Sequence, residues 1–225
     1  MTTFGAKEVR CSLCGAVRTQ QILTSTNTFG SPDLDNRPPE MKRSTMAYWT
    51  QECNGCGYVA YDLTAPVEEA IARLVGGQEY RSLWQDEQAY PPLANRFLRE
   101  SLLAERGEGD LLNAGMAALH AAWSCDDAVV NDAAPARECR LRADRLIEAG
   151  LRQSDAATDQ SGYWFAIRTD LLRRAGEFEK ATALCAEALS HEADLEPIIA
   201  SLLHLQERLI AQRDTAAHTL AELEP

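Results

Sequence analysis

Two short cysteine pairs are the residues here whose type and spacing could do chemistry. One is Cys11-Ser-Leu-Cys14-Gly15, the other Cys53-Asn-Gly-Cys56-Gly57, and 38 residues lie between Cys14 and Cys53. Thiols two residues apart can turn both sulfurs toward one point. The glycine that follows each pair permits positive φ, which lets backbone amides aim at a sulfur. Two such knuckles brought together make a tetrahedral four-sulfur site, and zinc suits it best. Cys11, Cys14, Cys53 and Cys56 are therefore the predicted metal ligands. All four positions would be filled by sulfur, leaving no open place for water or substrate, so the expected Zn²⁺ is structural rather than catalytic.

Other readings of the same spacing differ in what they require. A redox Cys-x-x-Cys usually stands alone beside a βαβ pattern, which is not found here. A disulfide framework fits poorly with seven cysteines and with an N-terminus, Met-Thr-Thr-Phe-Gly-Ala-Lys-Glu, that lacks the apolar core of a secretion signal. A rubredoxin-type iron or an iron-sulfur centre uses the same four ligands, so spacing leaves zinc and iron both open. Free thiols and no leader point to a reducing cytoplasm.

The elements that must position these cysteines are short. Ala16–Thr26 is rich in Thr, Val and Ile and reads as a strand. Residues 47–63 place aromatic and β-branched residues on both sides of the second knuckle and read as two short strands with the knuckle as their turn. Between them, residues 27–46 hold Gly30, Pro32, Pro38 and Pro39, which exclude regular structure through most of the segment. Asp33 and Asp35 there could hold a hard cation or cap turns. Arg37, Lys42 and Arg43 could clamp an anion or pair with Asp33, Asp35 and Glu40. Tyr48, Trp49, Tyr58 and Tyr61 could stack on nucleotides, but packing around the metal is the stronger reading. A segment as short as residues 1–65 buries little core, so its folding should depend on metal.

From Pro66 onward the pattern is helical. A first helix is expected over 66–75, capped by Thr64 and stopped by Gly76-Gly77. Pro91-Pro92 opens another, with Ala94, Phe97, Leu98, Ser101 and Leu102 on one face. Apolar faces follow at Leu111–Ala122, at Ala136–Ile147 with a stop at Gly150, at Trp164–Leu172, at Phe178–Leu189 and at Leu195–Leu209. The turn Ala175-Gly176-Glu177-Phe178, with Ala181 and Ala188-Leu189, has the small and large positions of a tetratricopeptide repeat. Gly109, Leu111, Ala114 and Ala121 repeat that spacing weakly, 67 residues upstream. The middle unit loses register, so the expectation is an irregular array.

The expected fold class is thus α+β: a small zinc ribbon of short antiparallel strands over 1–65, then an all-α tetratricopeptide-like domain over 66–225. The Cys-x-x-Cys-Gly start, the segment Tyr48-Trp49-Thr-Gln-Glu-Cys53-Asn-Gly-Cys56-Gly57-Tyr58 and the helical tail resemble the bacterial domain-of-unknown-function family 2225. That resemblance implies a zinc-ribbon-like N-terminus with tetratricopeptide-like helices, and it implies the same four cysteines as ligands. Where the family has Pro after the first cysteine of the second knuckle, this chain has Asn54.

Charge narrows the function. The net charge is −12, and all of the excess falls on residues 66–225, since 1–65 hold six basic and six acidic side chains. Such a balance disfavours broad contact with a phosphate backbone and suits a neutral or basic protein partner. No apolar run approaches the ~20 residues of a membrane helix, so no membrane partner is expected. His120, His191, His204 and His218, all placed in predicted helices, make no metal motif, and Cys125, Cys139 and Cys185 fall on apolar faces as inert thiols. No phosphate-binding loop, nucleophile elbow or dinucleotide fingerprint is present. The expected function is a non-enzymatic adaptor that binds a protein or peptide. The alternatives are a nucleic-acid-binding ribbon that contacts its ligand through residues 27–62, and a thiol redox or metal sensor.

Overall fold

The computed structural model describes residues 1–86, 88–128, 133–153 and 161–223. It is α+β: antiparallel strands at the N-terminus followed by packed helices. Strands β1 (Thr3–Arg10) and β2 (Val17–Ser25) form a hairpin whose turn is the first knuckle. The sequence reading missed β1. Its Gly5, Lys7 and Glu8 dilute the β-branched signal, and pairing along the whole of β2 overrides that weak propensity. Strands β3 (Gln51–Glu52) and β4 (Val59–Ala60) flank the second knuckle. Ala47 and Tyr48 are not strand but the end of a 3-10 helix, Arg43–Tyr48.

Among the described residues, eight α-helices follow. The first, α1 (Glu69–Gly76), starts three residues later than expected, because Thr64 does not cap it. Thr64 instead closes a turn on Asp62, donating both its amide and its hydroxyl to one carboxylate oxygen. Helix α2 (Gln78–Gln85) is followed by α3 (Pro92–Leu103), which begins at its proline pair and runs into one π turn, Ala104–Glu108, closed by Gly109. Next come α4 (Leu111–Asp127), α5 (Ala134–Gln153), α6 (Ser161–Arg174), α7 (Phe178–Leu189) and α8 (Pro197–Ala211). Gly150 does not stop α5. It lies inside the helix against Leu112 of α4, where a Cβ would come within 2.9 Å of a Leu112 methyl, so the glycine serves close packing rather than termination.

Each helix from α3 to α8 packs on the next, and α6 also touches α8. One apolar core joins α3 to α6 around Phe97, Leu119, Trp123 and Ile147. A second joins α6 to α8 around Leu172, Phe178, Leu203 and Leu209. A third lies under the metal-ligand cysteines: Val9, Tyr58, Val59 and Leu63 of the ribbon meet Ile71, Val75, Tyr80 and Leu102 of α1 to α3. Among the described residues no helix is long and apolar enough to cross a membrane.

The Pro-rich segment 27–46 is irregular, as its composition requires, yet it is stitched to the helices. Leu34 is buried in the α6–α8 core, and its amide donates to His218 O at 2.9 Å. Asp35, 0% exposed, accepts from Trp123 Nε1 at 2.7 Å and from Arg174 Nη1 at 3.1 Å. Arg37 pairs with Asp127 at the end of α4, and Arg43 pairs with Asp33 at 2.5 Å. Asp35 is thus held by protein donors through both oxygens, while Asp33 is paired through one oxygen and its other is buried with no partner among the described residues. Of the three basic residues, Arg37 and Arg43 are spent in ion pairs and Lys42 has none among the described residues.

Candidate metal centre

The chain reverses at Cys11–Gly15 because the amide of Cys11 donates to Ala16 O at 2.9 Å and that of Gly15 donates to Cys11 O at 2.8 Å. The second knuckle repeats this. Cys53 N donates to Tyr58 O at 2.8 Å and Gly57 N donates to Cys53 O at 2.7 Å. Gly15 and Gly57 both carry the positive φ that closes each turn, +75° and +74°. These local bonds turn each pair of sulfurs inward.

The structure brings all four predicted ligands together. The Sγ atoms of Cys11, Cys14, Cys53 and Cys56 lie within 4.8 Å of one another. Cys14 and Cys53 are 3.5 Å apart, and Cys11 and Cys56 are 3.9 Å apart. A tetrahedron of sulfurs at zinc–thiolate distance has edges of about 3.8 Å, so the cluster fits a four-sulfur ion. A Cβ added at Gly55 would lie 3.6 Å from Cys14 Sγ, in ordinary contact, and 3.3 Å from Ala16 Cβ, so the glycine eases the fit of the two knuckles.

Burial pushes the Cys11 and Cys56 thiols up. Burial acts on Cys53 too, but the Gly55 amide and the Cys14 thiol outweigh it, so Cys53 sits below the ordinary thiol value. A divalent ion held at the centre would supply the charge that lets all four ionise.

The second knuckle is clamped from outside by groups the sequence reading did not single out. Gly57 O accepts from Tyr80 Oη at 2.8 Å and from Arg99 Nη1 at 2.5 Å. Burial keeps the Tyr80 phenol protonated and able to donate. Arg99 also reaches Glu52 at 2.8 Å and Asn95 at 2.9 Å, while Arg96 lies 3.3 Å from the second Glu52 oxygen. The ring of Trp84 covers Gly57 so closely that a Cβ there would lie 2.4 Å from it. Asn54 accepts from Arg18 of β2 at 2.6 Å and ties the second knuckle to the first hairpin. Arg99 standing among the apolar Phe97, Leu98 and Leu102 of α3 is the signal in the sequence that could have pointed to this clamp.

Of the aromatic residues near the ribbon, Tyr58 packs in the core beneath the cluster and Trp49 packs against His120 of α4. Tyr48 stacks on Phe4 but stays partly exposed, and Tyr61 is 82% exposed. The histidines scatter. His204 lies on α8 beside Glu192, while His191 falls in a turn and His218 in irregular chain, both outside the helices. His218 sits between Asp214 at 3.1 Å and Glu222 at 2.7 Å. Cys125, Cys139 and Cys185 are buried, away from the cluster.

No family model, curated protein or solved structure matches the chain.

Proposed function

We propose that the chain is a zinc-stapled adaptor of a reducing cytoplasm. The ion fixes the ribbon, the ribbon is clamped to the helices, and the helical array offers its surface to a protein or peptide partner. The closed four-sulfur cluster carries this reading. Its ligands leave no position for a reacting group, so the ion contributes folding free energy rather than chemistry.

The clamp on Gly57 extends that contribution from the ribbon into α2 and α3. The resemblance to family 2225 supports the same division into ribbon and tetratricopeptide-like helices. On the array, Phe178, Cys185 and Ile210 floor a groove of roughly 350 Å³ between α7 and α8, flanked by Glu207 and by Glu179 with Arg213 3.8 Å from it. The acidic balance of residues 66–225 as a whole, with Glu207 at this groove, favours a neutral or basic peptide.

Two measurements test the reading. Metal analysis of the reduced, purified protein should give one zinc per chain and a colourless solution, whereas a rubredoxin-type iron site would be red. Capture from native lysate should retain a defined protein that rebinds from purified components. Recovery of nuclease-sensitive nucleic acid instead would transfer the function to the exposed Tyr48, Tyr61 and Lys42 of residues 27–62. The Cys53→Ser, Cys56→Ser variant then shows whether the ribbon or the helices hold the partner.

A further inference from the structure

A cleft of roughly 970 Å³ opens between the β1–β2 hairpin, the 27–46 segment and α4, well away from the α7–α8 groove. That size is within the range of small-molecule sites. His120 stands in its wall. The imidazole lies in a box of rings, with centroids 5.2 Å from Trp49, 5.2 Å from Phe97 and 5.0 Å from Trp123. Neither ring nitrogen hydrogen-bonds to a described protein group, and neither is sealed from solvent. With no protein partner, both nitrogens are open to a polar group that enters the cleft. Burial pushes this imidazole down to about 4, against the opposing charge of Asp35, so it is neutral at physiological pH. A neutral ring offers one donor and one acceptor.

The rest of the cleft adds shape and charge. Pro38, Pro39 and Trp49 give flat apolar walls, and the ionised residues are Lys7, Lys42 and Asp62. Asp62 feels Lys7, whereas Lys42 has no ion pair among the described residues. The cleft is therefore positive in a chain of net charge −12. Behind Tyr61 and Met116 a second space of roughly 330 Å³ shares His120 but contains Glu100 and Glu108. Burial raises Glu100 to about 7, so Glu108 is left to disfavour an anion on that side, while Lys42 favours one in the cleft.

We propose that this cleft binds a small planar anion, its ring seated among Trp49, Pro38 and Pro39, one polar ring atom on His120, and its carboxylate or phosphate toward Lys42. The inference is independent of the adaptor reading, since it concerns a different face and a different ligand class.

Calorimetric titration of the zinc-loaded full chain tests it, with indole-3-carboxylate and adenosine monophosphate as probes. Saturable binding of the first alone assigns aromatic carboxylates, and of the second alone assigns nucleotides; either supports the proposal. His120→Phe keeps the aromatic packing and removes both nitrogens. It should leave the melting temperature within a few degrees and weaken binding at least about tenfold, the loss expected for one hydrogen bond. Lys42→Gln, on the exposed rim, should weaken binding several-fold and flatten its dependence on salt. The proposal is overturned if neither probe binds at millimolar concentration, or if both variants bind like the wild type.

Discussion

The two knuckles are the same motif with the same backbone, yet they live in different surroundings. Around Gly15 nothing lies within 4 Å of an added Cβ, while at Gly57 the indole of Trp84 is 2.4 Å away. The first knuckle is held by its own hairpin and by one backbone bond, from Ser12 N to Leu63 O at 2.9 Å. The second is gripped by Tyr80 and Arg99 from two helices. One half of the metal site is therefore carried by the ribbon and the other by the helical body. An ion held by all four sulfurs would join the two and hold a small ribbon with little core of its own in a fixed place.

The largest effect that can break this picture is loss of the ion. Structural zinc in small domains contributes on the order of 10 kcal/mol at neutral pH. Chelation, or Cys53→Ser with Cys56→Ser, should abolish metal content and collapse amide protection in β1 to β4. Protection in α4 to α8 should survive, because their cores are separate from the ribbon's. Hydrogen exchange resolved by segment would show it, and uniform loss along the chain would mean that the helices depend on the ion directly.

A pair of glycine substitutions sharpens the contrast between the knuckles. Gly15→Ala should cost about 1 kcal/mol, the strain of a side chain at positive φ. Gly57→Ala adds the clash with Trp84 and should cost about 3 kcal/mol. Urea midpoints on the two variants measure the difference, and equal costs would dissolve the asymmetry.

Arg99→Met removes the clamp without touching a ligand. Glu52 keeps Arg96 and some exposure to water, so the cost should be about 2 kcal/mol rather than the full penalty of an orphaned buried charge. Zinc stoichiometry should stay at one. If the variant loses zinc outright, the clamp is part of the metal site rather than its mount.

The smallest effect concerns the far end of the segment that links the knuckles. Burial lowers the His218 imidazole's proton affinity, but Glu222 and Asp214 outweigh burial and raise it above the ordinary histidine value. A group raised in the folded state stabilises fully below its unfolded value and loses that contribution as pH climbs through the folded value. The contact between Leu34 N and His218 O should therefore loosen as pH climbs from below the ordinary histidine value of 6.5 into the range above it. Exchange of the Leu34 amide should quicken over that range beyond its intrinsic pH dependence, while that of Gly57 should not. A parallel change at both amides would mean that the linker and the second knuckle are one unit.

Much of the site was legible in the sequence because cysteine spacing is a matter of local covalent geometry. Two thiols two residues apart with glycine after them can form only a few turns, and a second copy names the chemistry. The helix order was equally legible in the 3.6-residue spacing of faces such as Ala94, Phe97, Leu98, Ser101 and Leu102, all buried. What local pattern could not supply was the identity of partners far apart in the chain. Arg99 and Gly57 are 42 residues apart, and Asp35 and Trp123 are 88 apart.

The amino-acid sequence by itself determined the four ligands, the strand–helix division and the acidic balance of the helical part. Tertiary structure alone decided that 27–46 is a docked strap, that one knuckle is anchored and the other is not, and that His120 stands unpaired in a ring of aromatics. The physical reason is the same in each case. A polar group's role is set by what meets it once water is excluded, and that is fixed only when distant segments pack together.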